Sequence, residues 1–189
     1  MADRSTYGWV LEDAVGVACC ITVVAGIDSD EALRRFGADT SRPLDPSVEA
    51  DDAEAYGWSI SVAAAPGGVV AVEPNGFQGS REDVLLRVAG NSVAASVFWN
   101  VNDDNSFVAV RDGAVVVDVD MYDFLDADDA DVLNDLALPA ALRALCIQAA
   151  EVDESPWPTG LAMAETFTGV AIPRDAVVEL TALYPLPQR

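Results

Sequence analysis

VAASVFWNVNDDNSFVAVRDGAVVVDVD, residues 93–120, decides the fold. Val93, Ala95, Val97, Trp99 and Val101 alternate with Ala94, Ser96, Phe98 and Asn100. A period of two places alternate side chains on opposite faces of a strand. Asn102-Asp103-Asp104-Asn105 supplies turn chemistry, Phe107 to Arg111 runs back, and Asp112-Gly113 turns again. Ala114 to Asp120 makes the third strand, expected to set Val115, Val117 and Val119 against Val116, Asp118 and Asp120. The stretch predicts an antiparallel meander.

Upstream, the same reading adds three strands. Residues 17–25 form an apolar, β-branched run, suited to a central strand buried on both faces. Trp58 to Ala64 and Val69 to Glu73 flank Pro66-Gly67-Gly68, a hairpin signal. A helix is expected after Asp28 or Ser29, with an acidic first turn and a left-handed stop at Gly37. A second is expected after Ser80, capped by Ser80 with Asp83 in a variant capping box and closed by Gly90. Residues 7–13 read as a short entry helix and 47–55 as a short acidic one.

From about residue 121 the pattern turns helical. Asp126 to Leu138, Ala140 to Ala150 and Thr159 to Thr168 read as helices, and Pro173 starts a further turn. Residues 179–184 lean towards a last strand. The expectation is therefore α+β: an antiparallel sheet of five or six strands, helices packed on one face, and a helical C-terminal part. Residues 1–189 read as a single domain, with 1–120 an α+β sheet core and 121–189 a mainly helical part packed on it.

Charge narrows the partners. Ten basic residues, all arginine, stand against 32 acidic ones, giving a net charge of −22, yet 51% of residues are hydrophobic. Disorder requires low hydrophobicity together with high charge, so a folded core is expected. A surface this acidic repels phosphate backbones and anionic lipid, which disfavours nucleic-acid binding through a basic groove and membrane association. It suits a basic protein. Genome composition or salt adaptation would produce the same acidity with no partner at all.

Histidine is absent. That removes Ser-His-Asp and Cys-His pairs and the HExxH zinc site. The chain also lacks the GxxxxGK[ST] and GxGxxG loops. Cys19, Cys20 and Cys146 match no zinc spacing, and adjacent strand cysteines point to opposite faces and do not bridge easily. They read as small core residues in a reducing cytoplasm. The apolar run 15–25 is preceded by Asp3, Arg4, Glu12 and Asp13, unlike the positive leader of a secretory signal. Asp118, Asp120, Asp123 and Asp126 are acidic enough for calcium, but their spacing fails the EF-hand template and reads as a solvated sheet edge. No metal, cofactor or catalytic residue is assigned, and the chain is read as non-enzymatic.

Two stretches are candidates for binding. EPNGFQGSR, 73–81, places Glu73, Asn75 and Arg81 where a strand ends and a helix begins, a position that can hold an anion. FWNVN, 98–102, places Trp99, Asn100 and Asn102 at a turn: a recognition loop with an aromatic anchor, or ordinary hairpin punctuation. The first stretch becomes a site if Asn75 and Arg81 meet Asn100 in space.

IDSDEALRRFGAD (27–39), VVAVEPNGFQGSREDVLLRVAG (69–90), SVFWNVNDDNSFVAVRDG (96–113) and LAMAETFTGVAIP (161–173) together resemble an actinobacterial family of uncharacterised proteins, a domain of unknown function. EPNGFQGSR and FWNVN are the most specific of these segments. The resemblance implies a GC-rich bacterial source and a cytoplasmic protein, and it carries no catalytic residues. Three functions remain open: an interaction module, immunity- or antitoxin-like, masking a basic partner; a small-ligand-binding or enzymatic domain using the Asn75–Arg81 loop; and an acidic mimic of DNA.

Overall fold

The computed structural model describes residues 3–12, 18–46, 58–124, 138–150 and 155–187. Among the described residues, seven strands form one sheet in the order β6-β5-β4-β1-β3-β2-β7, with every neighbouring pair antiparallel. They are β1 (Cys19–Ala25), β2 (Ser59–Ala65), β3 (Gly68–Pro74), β4 (Val93–Trp99), β5 (Asn105–Arg111), β6 (Ala114–Val119) and β7 (Tyr184–Pro185). The six longer strands are those expected from the apolar run at 17–25, the hairpin signal at Pro66-Gly67-Gly68 and the alternation over 93–120. The seventh is a two-residue edge pairing with β2, next to a Leu44–Leu183 bridge.

The fold class is α+β, as expected. Helices α1 (Ser29–Phe36) and α2 (Glu82–Ala89) cover one face, burying Leu33, Phe36, Val84, Leu85 and Val88 on Val24, Val69, Ala94, Val108 and Val110. The other face carries Ile21, Val23, Val72, Val97, Trp99 and Phe107. It is covered by a 3-10 helix (Arg4–Leu11), by α3 (Ala140–Ala150), α4 (Trp157–Thr168) and α5 (Arg174–Val178). The Tyr7 hydroxyl donates to Glu165, tying the 3-10 helix to α4. Helices on both faces leave β1 buried along Cys19 to Val24, which explains its mostly apolar run.

Several local expectations hold. Asp28 caps α1 by accepting the Glu31 N–H at 2.8 Å, and Gly37 ends it in the left-handed region at φ 80°. Pro66-Gly67 turns β2 into β3. The helices expected over 47–55 and from Asp126 lie outside the described residues, apart from Leu138.

Two expectations need correction. A bulge between Ala109 and Val110 pairs Ala109 with Val117 but Val110 with Val115, leaving Val116 as the additional residue. The inserted residue reverses the side-chain parity of β6. Val115 therefore packs with the α1/α2 layer, while Val117 and Val119 face the other. Ser80 does not cap α2. Gln78–Ser80 wind as a 3-10 turn in which both the Ser80 N–H and Oγ–H donate to Phe77 O. The helix consequently starts one residue later, with Arg81 in extended geometry at its N-cap and no capping side chain.

Candidate functional site: the sheet end around Glu73

The two conspicuous segments leave the sheet side by side. Cys19, the first residue of β1, pairs with Pro74 on one side and Trp99 on the other. Asn75 and Asn100, each one residue beyond those pairs, thus flank Ala18. The Asn75 N–H donates to Ala18 O at 3.0 Å. Asn75 holds φ 54°, left-handed geometry that asparagine tolerates better than most residues. Because β2 runs antiparallel to β3, Trp58 also falls at this end.

Glu73 lies on the α1/α2 face with Cys20 and Thr22 of β1 and Ser96 of β4, and is only 1% exposed. Its carboxylate accepts the backbone N–H groups of Gln78 at 2.9 Å and Gly79 at 2.6 Å. These bonds fold the chain after Pro74 back over the sheet and pin the 3-10 turn on top of it. The glycines follow from that closeness. A Cβ on Gly79 would stand 2.0 Å from Thr22 Oγ1, and one on Gly76 would stand 2.8 Å from Glu73 Cβ. Beneath the turn, Cys20 Sγ lies 3.2 Å from Ser96 Oγ, and the Thr22 hydroxyl donates to Ser96 Oγ at 3.4 Å.

Burial raises the Glu73 pKa to about 7, against the opposing pull of the Gly79 and Gln78 N–H groups and the Cys20 thiol. Burial and the neighbouring Glu73 also push both Cys19 and Cys20 upwards, which keeps these thiols protonated and poorly nucleophilic. The arrangement is a clasp. The Glu73 carboxylate is committed to the loop, while Gln78 Nε2 is buried without a partner.

The other candidates separate. Arg81 turns along α2, pairing with Asp83 at 3.1 Å and donating to Gln78 Oε1 at 3.3 Å. Beside it, Phe36, Gln78, Val84 and Leu186 line a notch of about 10 Å³, room for one water. Trp99 is on the opposite sheet face, 1% exposed, stacked on Trp157 with ring centroids 5.0 Å apart. It anchors the core and is not presented at the surface. Asn100 accepts the N–H groups of Asn102 at 2.8 Å and Asp104 at 3.1 Å, and donates to the Asp104 carboxylate at 2.9 Å. Asn100 and Asn102 thereby close the hairpin turn. The structure brings Glu73, Asn75, Asn100 and Asn102 to one end of the sheet. Trp99 faces away from that surface, and Arg81 is engaged with Gln78 and Asp83.

Reasoning from the sequence missed an aromatic ridge. Phe77, at the crest of the loop, meets Trp58 edge-to-face at 5.8 Å and Phe98 at 6.4 Å. Phe77 is 42% exposed, with Trp58 and Phe98 half-buried. Val101, 65% exposed, and Tyr122, 41% exposed, lie at the same sheet end. The exposed Asp103 contacts Tyr122 there, and Asp104 is exposed in the same turn. The signal in the sequence was an aromatic residue between two glycines, an apolar side chain placed in a loop.

Among the described residues, no helix is long and apolar enough to cross a membrane, and no group of three or more His, Cys, Asp or Glu is placed to hold a metal ion. Neither a curated protein nor a solved structure matches the chain. The profile of a family of unknown function (DUF6461) matches residues 1–182, and the chain belongs to that family.

Proposed function

We propose that this protein is a non-enzymatic, cytoplasmic interaction module, immunity- or antitoxin-like, that masks a basic partner by charge complementarity. One observation carries the reading. At the sheet end where the two distinctive segments meet, the buried Glu73 carboxylate is spent on holding the loop, while aromatic and acidic groups face solvent. Aromatic residues in such positions supply binding energy, and a net charge of −22 speeds encounter with a cationic partner and disfavours acidic competitors. The three cysteines, free and buried, fit a reducing compartment.

Affinity capture from the native host should recover one stoichiometric protein of opposite charge. Binding should weaken steeply with salt, since the screening length falls from about 8 Å at physiological ionic strength to about 3 Å at 1 M. Recovery of no stoichiometric partner would overturn the reading, as would a partner whose affinity ignores salt.

A further inference from the structure

We propose that the ridge of Trp58, Phe77 and Phe98 is a docking surface for an arginine-bearing basic segment of a partner protein, at the sheet end that also carries Val101, Asp103 and Asp104. The proposal rests on the interaction-module reading and adds to it a place and a chemistry.

The clustering of exposed apolar groups comes first. Phe77, Val101 and Tyr122 all lie at one end of the sheet, and the two half-buried rings adjoin Phe77. Scattered exposed apolar residues are ordinary, whereas rings in contact with one another, as Trp58, Phe77 and Phe98 are, make a contiguous group of the kind that marks a contact surface. Rigidity is the second support. The ridge crest is fastened to the sheet through Glu73, so little loop ordering is left to oppose binding.

Charge selects the occupant. The same sheet end carries the exposed carboxylates of Asp103 and Asp104, and the whole chain is strongly acidic. A partner that offers apolar contact and positive charge in one side chain meets both features. Arginine does so better than lysine, because its planar guanidinium is weakly hydrated and stacks on aromatic rings. The protein shows the same contact internally, where the Arg111 guanidinium lies 4.6 Å from the centre of the Phe167 ring.

Labelled oligo-arginine and oligo-lysine peptides of equal length and charge test this by fluorescence anisotropy at low salt. Oligo-arginine is expected to bind about two- to fivefold more tightly, the range of a solvent-exposed cation–ring contact. Phe77→Ala should abolish that preference and leave the charge-driven binding common to both peptides. Phe77→Tyr should retain it, and a circular dichroism melt checks that each variant is folded. Phe98→Ala provides a second position should the first variant fold poorly. A preference that survives at both positions overturns the docking surface and leaves the interaction module standing. Failure of the wild type to bind either peptide overturns both. Concentration-dependent dimerisation that Phe77→Ala removes would also overturn the proposal, by assigning the ridge to a second copy of the chain.

Discussion

Gly79→Ala is expected to lower the free energy of unfolding by about 3 kcal/mol, the upper range for overpacking a filled interior together with the loss of a buried hydrogen bond. The new methyl would lie 2.0 Å from Thr22 Oγ1. Thr22 cannot yield cheaply. It is fully buried on the central strand, its hydroxyl is bonded to Ser96, and a β-branched side chain is stiff at χ1. The turn must lift instead, and lifting stretches the 2.6 Å bond from the Gly79 N–H to Glu73. Urea denaturation measures the loss. Gly8→Ala is the control, because a Cβ added there would meet nothing within 4 Å and its backbone is not left-handed. Thr22→Ala should recover part of the loss in the Gly79→Ala background by removing the obstructing atom, a coupling that a double-mutant cycle would show. A Gly79→Ala protein as stable as the Gly8→Ala control would mean that the turn is not clamped to the sheet.

The same glycine shows where sequence reading succeeds and where it stops. Strand alternation makes β4 and β5 legible, because period two is a local property and residues 93–111 carry it on both sides of one turn. The hairpins and the ends of α1 are legible for the same reason. The parity of β6 is not, since the bulge depends on how two strands register, and no residue in Ala114–Val119 announces it. The EPNGFQGSR loop is located correctly, but its logic is hidden. Gly76 and Gly79 resemble phosphate-loop glycines, yet they are small because they pass over Glu73 and Thr22. Glu73 reads as a polar group at a strand end. Its partners are five and six residues ahead, reachable only once the chain has folded back. Trp99 reads as accessible because it borders a polar turn, whereas strand parity sends it to the α4 face and leaves Phe98 on the surface side. The ridge joins residues 58, 77 and 98, and only the order β4-β1-β3-β2 brings them together.

Glu73→Gln is expected to remove a component of pH-dependent stability worth about 3 kcal/mol between pH 4.5 and pH 7. Folding raises the Glu73 pKa from 4.5 to about 7, chiefly through burial, and each unit corresponds to about 1.4 kcal/mol. Within that interval the folded protein binds more protons at this position than the unfolded chain. Stability from this group is therefore complete below pH 4.5, declines as pH rises through 7 and is flat above it. The overall charge of −22 relaxes in the same direction on acidification, so the wild-type curve alone does not isolate Glu73. The difference between wild type and Glu73→Gln does, because the rest of the surface is common to both. Among the described residues, the charged and titratable groups near the clasp include Cys19 and Cys20 on β1 and Arg81, Glu82 and Asp83 at the start of α2. The thiols stay protonated across this range. Glutamine keeps the volume but offers an amide N–H₂ where the carboxylate accepted one of two N–H groups, which adds an offset with little dependence on pH. The measured stability difference should therefore shift by about 3 kcal/mol across the interval, favouring the wild type progressively as pH falls. A difference that stays constant from pH 4.5 to about 8 would mean that Glu73 ionises at an ordinary carboxylate pKa, and that the burial of its carboxyl under Gln78 and Gly79 carries no proton with it.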